Sequence, residues 1–187
     1  MPHATAMREA IRDSWLDKDY WDELGVNIHP VFLIGSTFRQ LDHEIEKYDD
    51  ILQINFTESH YLLPIKDNVL LDYVAGHCAH AHYVFKGDDD IFLVPDNILT
   101  LIGQLKNANM SSIGCKSDHD KVVKDLRSKY FVPDEIYAPT FYPPYFSGAA
   151  YVITGQLATI MAERKSEVPI MPLDDCYIGS IIKHIGK

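Results

Sequence analysis

The sequence predicts an α/β fold with a mostly parallel central sheet flanked by helices. Three observations carry this expectation. Short apolar runs with strand character alternate with segments whose apolar residues recur at helical spacing. Apolar residues run through the whole length and make up 47% of it. The 187 residues suffice for one core, and no repeat, low-complexity tract or linker-like composition interrupts them, so a single domain over 1–187 is the simplest organisation.

The elements follow in order. Residues 5–15 space Ala6, Ala10 and Ile11 as one helical face. Residues 28–35 end in an apolar run that stops at Gly35, a buried strand with Pro30 at its start, where a missing N–H is tolerable. Residues 40–48 read as a surface helix and Ile51–Ile54 as a second strand. Pro64 sits in the first turn of a helix reaching Cys78, with Ile65, Val69, Leu70, Tyr73 and Val74 at helical spacing. His82–Phe85 is a short β-rich run that breaks at Gly87, and 91–94 (IFLV) is apolar and strand-like again. Pro95 opens a helix to Leu105.

Strand and helix in alternation is the signature of a parallel sheet covered on both faces. Such sheets bind ligands beyond the carboxyl ends of their strands, which draws attention to the loop after Phe85. Residues 116–140 are polar and less regular, and Tyr142-Pro143-Pro144-Tyr145 is a stiff turn. Ala149–Thr154 reads as a strand, followed by a helix from Gly155 to about Arg164. Asp174-Asp175 opens a last apolar segment that reaches Lys187 with no capping signal.

The formal net charge of −10 excludes a basic nucleic-acid footprint and gives no general attraction to anionic lipid. A polyanionic ligand would need a local answer, and a divalent cation supplies one. Cys78, Cys115 and Cys176 are too few and odd in number for a disulfide framework: one bridge with a free thiol and three thiols both fit. Asn55-Phe56-Thr57 and Asn109-Met110-Ser111 are glycosylation sequons, which favour a secretory setting. No stretch has the length and apolarity of a membrane span, and no signal-peptide pattern is present.

Asp88-Asp89-Asp90 follows the His82–Phe85 run. Adjacent carboxylates repel one another unless something neutralises them, and Mn²⁺ or Mg²⁺ takes oxygen ligands of this kind. A solvated acidic turn fits the same residues. The Asp-x-Asp spacing puts Asp88 and Asp90 on one side of an extended loop, one toward a metal and the other toward a ribose or water. Asp174-Asp175 lies just before an apolar stretch, where acids cap a helix and meet its dipole favourably. Such an acid can also serve as a general base for an attacking hydroxyl. His77-Cys78-Ala79-His80-Ala81-His82 has the residue types of a transition-metal site, with packing or surface roles as the alternative. No Gly-x-Ser-x-Gly elbow, Walker loop, dinucleotide fingerprint or His-Glu-x-x-His occurs.

In combination these segments resemble the β-1,3-glycosyltransferase family of Golgi enzymes, which includes β-1,3-galactosyltransferases and β-1,3-N-acetylglucosaminyltransferases, with fringe enzymes as distant relatives. Arg8-Glu9-Ala10-Ile11-Arg12-Asp13-Ser14-Trp15 is similar to the family's opening Arg-x-x-Ile-Arg-x-Thr-Trp, with Ser14 for Thr. Val31–Gly35 resembles its first strand, Asp49–Gln53 through Tyr61 and Ile65-Lys66 its next block, and Phe85–Phe92 its metal motif. Tyr142–Tyr145, Ser147-Gly148, Tyr151 and Asp174–Gly179 complete the pattern over nearly the whole chain.

The resemblance implies a GT-A-type nucleotide-sugar-binding fold, dependence on Mn²⁺, and inverting transfer of a hexose from a UDP-sugar to a glycan hydroxyl on a glycoprotein or glycolipid. It implies Asp175 as catalytic base, Asp90 and Asp88 as metal ligands, and Asp88 or Asp89 on the uridine-ribose side. Arg8 and Arg12 would brace the bound nucleotide or the fold. Tyr145, Ser147, Gly148 and Asp174 would line the substrate cleft. It also implies a type II signal-anchored Golgi membrane protein with this domain in the lumen, the anchor, stem and C-terminal segment lying outside the chain. Pro64-Ile65 and Lys86-Gly87 are closer to the N-acetylglucosaminyl branch, and Ser147–Tyr151 to the galactosyl branch, so the donor stays open between UDP-galactose and UDP-N-acetylglucosamine. A catalytically silent, lectin-like module and a UDP-sugar hydrolase are the other functions such a sequence accommodates.

Overall fold

A computed structural model describes residues 4–36 and 41–186. Gln40, the first residue of one predicted helix, and Lys187 lie outside the described residues. The chain forms two compact units. One comprises the described residues up to Ser59 with Asp89–Thr100, and the other His60–Asp88 with the described residues from Leu101 onward.

The first unit contains α1 (Thr5–Arg12), α2 (Lys18–Glu23), β1 (Phe32–Ser36), α3 (Asp42–Tyr48) and β2 (Ile51–Thr57). β1 and β2 pair in parallel, with Phe32 opposite Ile51 and Gly35 opposite Ile54. Helix α3 is less of a surface helix than its polarity predicts, because Glu44 on it is buried. The apolar run 91–94 is not a strand: it leads irregularly into a helix starting at Pro95, and Phe92 is 76% exposed.

The second unit contains α4 (Leu63–His77), β3 (Tyr83–Gly87), β4 (Ser112–Ser117), β5 (Tyr145–Thr154), α6 (Gly155–Arg164) and α7 (Asp174–Ile185). Helix α5 (Pro95–Ala108) begins in the first unit and ends in this one. β3, β5 and β4 form a three-stranded sheet in that order, and both pairings are antiparallel. Parallel pairing is therefore confined to β1 and β2, and the expected mostly parallel central sheet is not what the described strands form. The reason is the identity of the neighbour: β3 is paired by β5, which arrives much later in the chain and runs the other way.

The core of the second unit lies between that sheet and its helices. Leu71 and Val74 of α4, Ile153 of β5, Leu157 and Met161 of α6, and Ile178 and Ile181 of α7 all belong to it. Two corners depend on glycine. Gly155 follows β5 and starts α6, and its N–H donates to the His82 carbonyl at 2.9 Å. A Cβ there would stand 1.9 Å from the Ala81 carbonyl oxygen, backbone that cannot swing aside. Gly155→Ala is therefore expected to lower stability by about 3 kcal/mol, read as a drop in the thermal unfolding midpoint. At the far end of α7, Gly186 adopts φ +81° and closes the helix as a left-handed cap, bonding to the Ile182 and Lys183 carbonyls. The last apolar segment therefore does carry a capping signal, this glycine.

Candidate active site

The site is built around the start of α7. Leu173 is the N-cap and offers no side-chain cap, so the acids that follow meet N–H groups that the first helical turn leaves without intrahelical partners. Asp175 Oδ1 accepts the Cys176 N–H at 2.7 Å. Helix α7 comes close to β5 because residue 179 is glycine. A Cβ there would be 2.6 Å from both the Pro144 carbonyl oxygen and Tyr145 Cβ.

The same packing brings the acid pair onto β5 at Gly148. A Cβ on Gly148 would sit 3.8 Å from Asp174 Oδ2 and from Asp175 Cβ. Asp174, Asp175 and Gly148, three of the residues selected from the sequence, are thus neighbours. Ser147, the residue before Gly148 on β5, is half-buried. Tyr145 supports α7 through its backbone, while its hydroxyl donates to Asp120 Oδ2 at 2.7 Å.

Two residues the sequence reading did not select complete this cluster. Lys86 Nζ, from β3, lies 2.6 Å from Asp174 Oδ2 and 3.5 Å from Asp67 Oδ1. Asp67 is on α4 at the position that, with Leu71 and Val74, forms its buried face, and it is 1% exposed. Among the described residues its Oδ2 has no hydrogen-bond partner. Burial pushes the Asp67 carboxyl up to about 6, against the pull of Lys86. Burial also works against the Lys86 charge, but Asp67 and Asp174 outweigh it and hold the ammonium above its ordinary range. The sequence carried a signal for Asp67: a carboxylate on the apolar stripe of a helix needs a partner.

The cluster divides the acid pair. Asp174 is neutralised by Lys86, whereas Asp175 is half-buried and forms no ion pair with any described residue. Burial raises its carboxyl above the ordinary range. A carboxylate shifted upward without a cation holding it is a better proton acceptor than an ordinary surface aspartate.

The acidic triplet begins one residue past β3. Asp88 N–H donates to the Ala149 carbonyl at 3.0 Å, tying the triplet's first residue to the strand that carries Gly148. Asp89 is half-buried and Asp90 exposed, both in the first unit. Among the described residues nothing pairs with the Asp90 carboxylate, and hard oxygen donors of this type fit Mg²⁺ or Mn²⁺. Among the described residues no three His, Cys, Asp or Glu are grouped to hold a metal ion by themselves. That includes the His77–His82 segment, where the His77 ring lies against Tyr73 at 5.2 Å. Cys78, Cys115 and Cys176 are all free thiols.

Arg8 and Arg12, in the first unit, stand in a network of carboxylates. Arg8 Nε and Nη2 donate to the two Glu44 oxygens at 2.8 and 2.6 Å. Arg12 donates to both Asp50 oxygens at 2.7 Å and to Glu44 Oε1 at 3.0 Å. Arg8 chiefly holds the Glu44 carboxyl down at about 2, against the opposing effect of burial. A depressed carboxyl contributes stability that is complete above its unfolded value of 4.5 and is lost as the pH falls through about 2. Glu44→Gln is expected to cost about 3 kcal/mol near neutral pH. Unfolding curves of the variant and the parent should converge between pH 4.5 and 2.

A family model described as Galactosyltransferase matches residues 6–186. The chain is 31% identical to the human (Homo sapiens) protein N-acetyllactosaminide beta-1,3-N-acetylglucosaminyltransferase 2, over 99% of this chain and 48% of that protein. It is 28% identical to UDP-GlcNAc:betaGal beta-1,3-N-acetylglucosaminyltransferase 7 of Mus musculus, over 96% of this chain and 48% of the relative. Beta-1,3-galactosyltransferase 1 of Mus musculus is 27% identical over 96% of this chain and 56% of its own length. The chain spans about half the length of the curated relatives it matches.

Proposed function

The chain belongs to the galactosyltransferase family, and on that premise we propose that it performs inverting transfer of galactose or N-acetylglucosamine from a UDP-sugar to a glycan hydroxyl, forming a β-1,3 linkage. The observation that carries the reading is the divided acid pair: Asp174 is bound to Lys86, and Asp175 beside it is half-buried and forms no ion pair among the described residues. Asp175 takes the proton of the acceptor hydroxyl as that oxygen bonds to the anomeric carbon from the face opposite UDP. The bond from the anomeric carbon to the UDP oxygen breaks, and its electron pair leaves with UDP. Gly148 and Ser147 line the acceptor side next to Asp174, and Tyr145 braces the helix behind them.

Asp88 and Asp90 would hold a divalent cation, Mn²⁺ in this reading, which when bound offsets the charge of the departing diphosphate. Two carboxylates are too few for an all-protein site, but diphosphate oxygens and water complete such a coordination shell. Asp89 serves the ribose side. Arg8 and Arg12 brace the nucleotide side or the fold through Glu44 and Asp50. The GT-A-type arrangement, with 1–187 as one catalytic domain, belongs to the same proposal.

So does a lumenal Golgi setting with membrane attachment outside this chain. The exposure of Asn55 and Asn109, the two sequon asparagines, supports that setting. Among the described residues no helix is long and apolar enough to cross a membrane. Relatives named for both sugars leave both donors in play.

Calorimetric titration of UDP-galactose and UDP-N-acetylglucosamine, with Mn²⁺ and again with chelator, tests the donor half. One donor should bind with Mn²⁺ and lose affinity with chelator. Absence of binding by either would overturn the reading.

A further inference from the structure

The site residues explain which acid is free, but not what keeps Lys86 on Asp174 rather than on Asp175. Four charged groups share this corner: Asp67 from α4, Lys86 from β3, and Asp174 and Asp175 from α7. An ammonium beside adjacent carboxylates would ordinarily be shared between them. Here it has a second anchor. Asp67 Oδ1 stands 3.5 Å from Lys86 Nζ, on the buried face of a helix whose neighbours Leu71 and Val74 are core residues. The Asp67 position is therefore fixed by packing, and among the described residues its other oxygen has no hydrogen-bond partner. A buried, half-satisfied carboxylate costs stability, and the geometry gives it one use.

We propose that Asp67 and Lys86 are positioning residues for the acid pair: Asp67 holds the Lys86 ammonium in line with Asp174, and this keeps Asp175 as the carboxylate without a cation. The inference rests on the reading of Asp175 as the base. Neither residue need touch substrate. The groups that bear on Asp175 are Asp174 and Cys176 of its own helix, Lys86, Asp67, Tyr151 of β5 and Tyr142 ahead of β5.

The two positioning residues act with opposite sign. Asp67→Asn removes a distant negative charge and frees the ammonium toward the pair, so the Asp175 carboxyl titrates at lower pH. Lys86→Gln removes the ammonium, so Asp175 titrates at higher pH. Asp67→Asn keeps shape and relieves a carboxyl that burial disfavours, and it decides the matter alone should Lys86→Gln unfold.

The test is an NMR titration of isotope-labelled aspartate carboxyls in the parent and both variants, which reads Asp175 without turnover. It is paired with transfer kinetics, in which Asp67→Asn should lower kcat on the order of tenfold with donor Kd unchanged. A merely structural role would lower the unfolding midpoint and leave the Asp175 titration in place. An unmoved titration in Asp67→Asn, or shifts of the same sign in both variants, overturns the inference even where Asp175→Asn is inactive. Retained transfer by Asp175→Asn overturns the base reading itself, and the positioning role with it.

Discussion

Asp175→Asn yields a folded protein that binds its donor and no longer transfers sugar. The expected loss in kcat is on the order of a thousandfold, the scale of a positioned general base. Asparagine keeps the carbonyl oxygen that accepts the Cys176 N–H, so the first turn of α7 keeps its local bond. It removes the proton-accepting oxygen and nothing else of comparable size. Donor affinity by calorimetry should stay within about twofold, because the base acts on the acceptor hydroxyl. Turnover at the parent rate would refute the assignment. Asp174→Asn is the informative contrast, since it cuts the Lys86 pair and should disturb stability as well as rate.

Asp90→Ala removes cation-dependent donor binding. Asp90 is exposed and unpaired among the described residues, so the fold should change by less than about 0.5 kcal/mol. Loss of a metal ligand should weaken donor binding about a hundredfold in Mn²⁺, down to the level the parent shows with chelator. Unchanged affinity in Mn²⁺ would show that the triplet's third carboxylate has no part in donor binding. The combination of an intact fold and a lost ligand response separates this variant from Gly155→Ala and Glu44→Gln, which act on stability.

Much of the fold is legible in the sequence where local signals agree. The helix predicted from Gly155 to about Arg164 is α6 over those residues, because a strand, a capping Thr154 and a glycine corner coincide there. The predicted helix 64–78 is α4 within a residue at each end, and Asp174-Asp175 does open the last helix. What escaped depends on distant partners. β4 is a polar strand with Gly114 inside it, and the glycine matters because Phe146 and Tyr151 lie 3.0 Å from where its Cβ would be. The alternation of strand and helix suggested parallel pairing, but it says nothing about β5 arriving late and antiparallel to both neighbours.

The site divides in the same way. Asp174, Asp175 and Gly148 were selected from sequence and are neighbours in the structure. Asp67 and Lys86 were not, since their pairing joins α4 to β3 across a span no spacing rule covers. Arg8 and Arg12 are expected to brace the nucleotide side or the fold, and the structure gives their guanidinium groups Glu44 and Asp50 as partners.

Product analysis after incubation with UDP-galactose or UDP-N-acetylglucosamine, Mn²⁺ and a glycan acceptor tests the proposed transfer most directly. NMR of the product reads both the new linkage and its anomeric configuration. A β-1,3-linked product is expected, and its formation stops with chelator and in Asp175→Asn. Release of free sugar in place of transfer, or donor binding with no product, would contradict it.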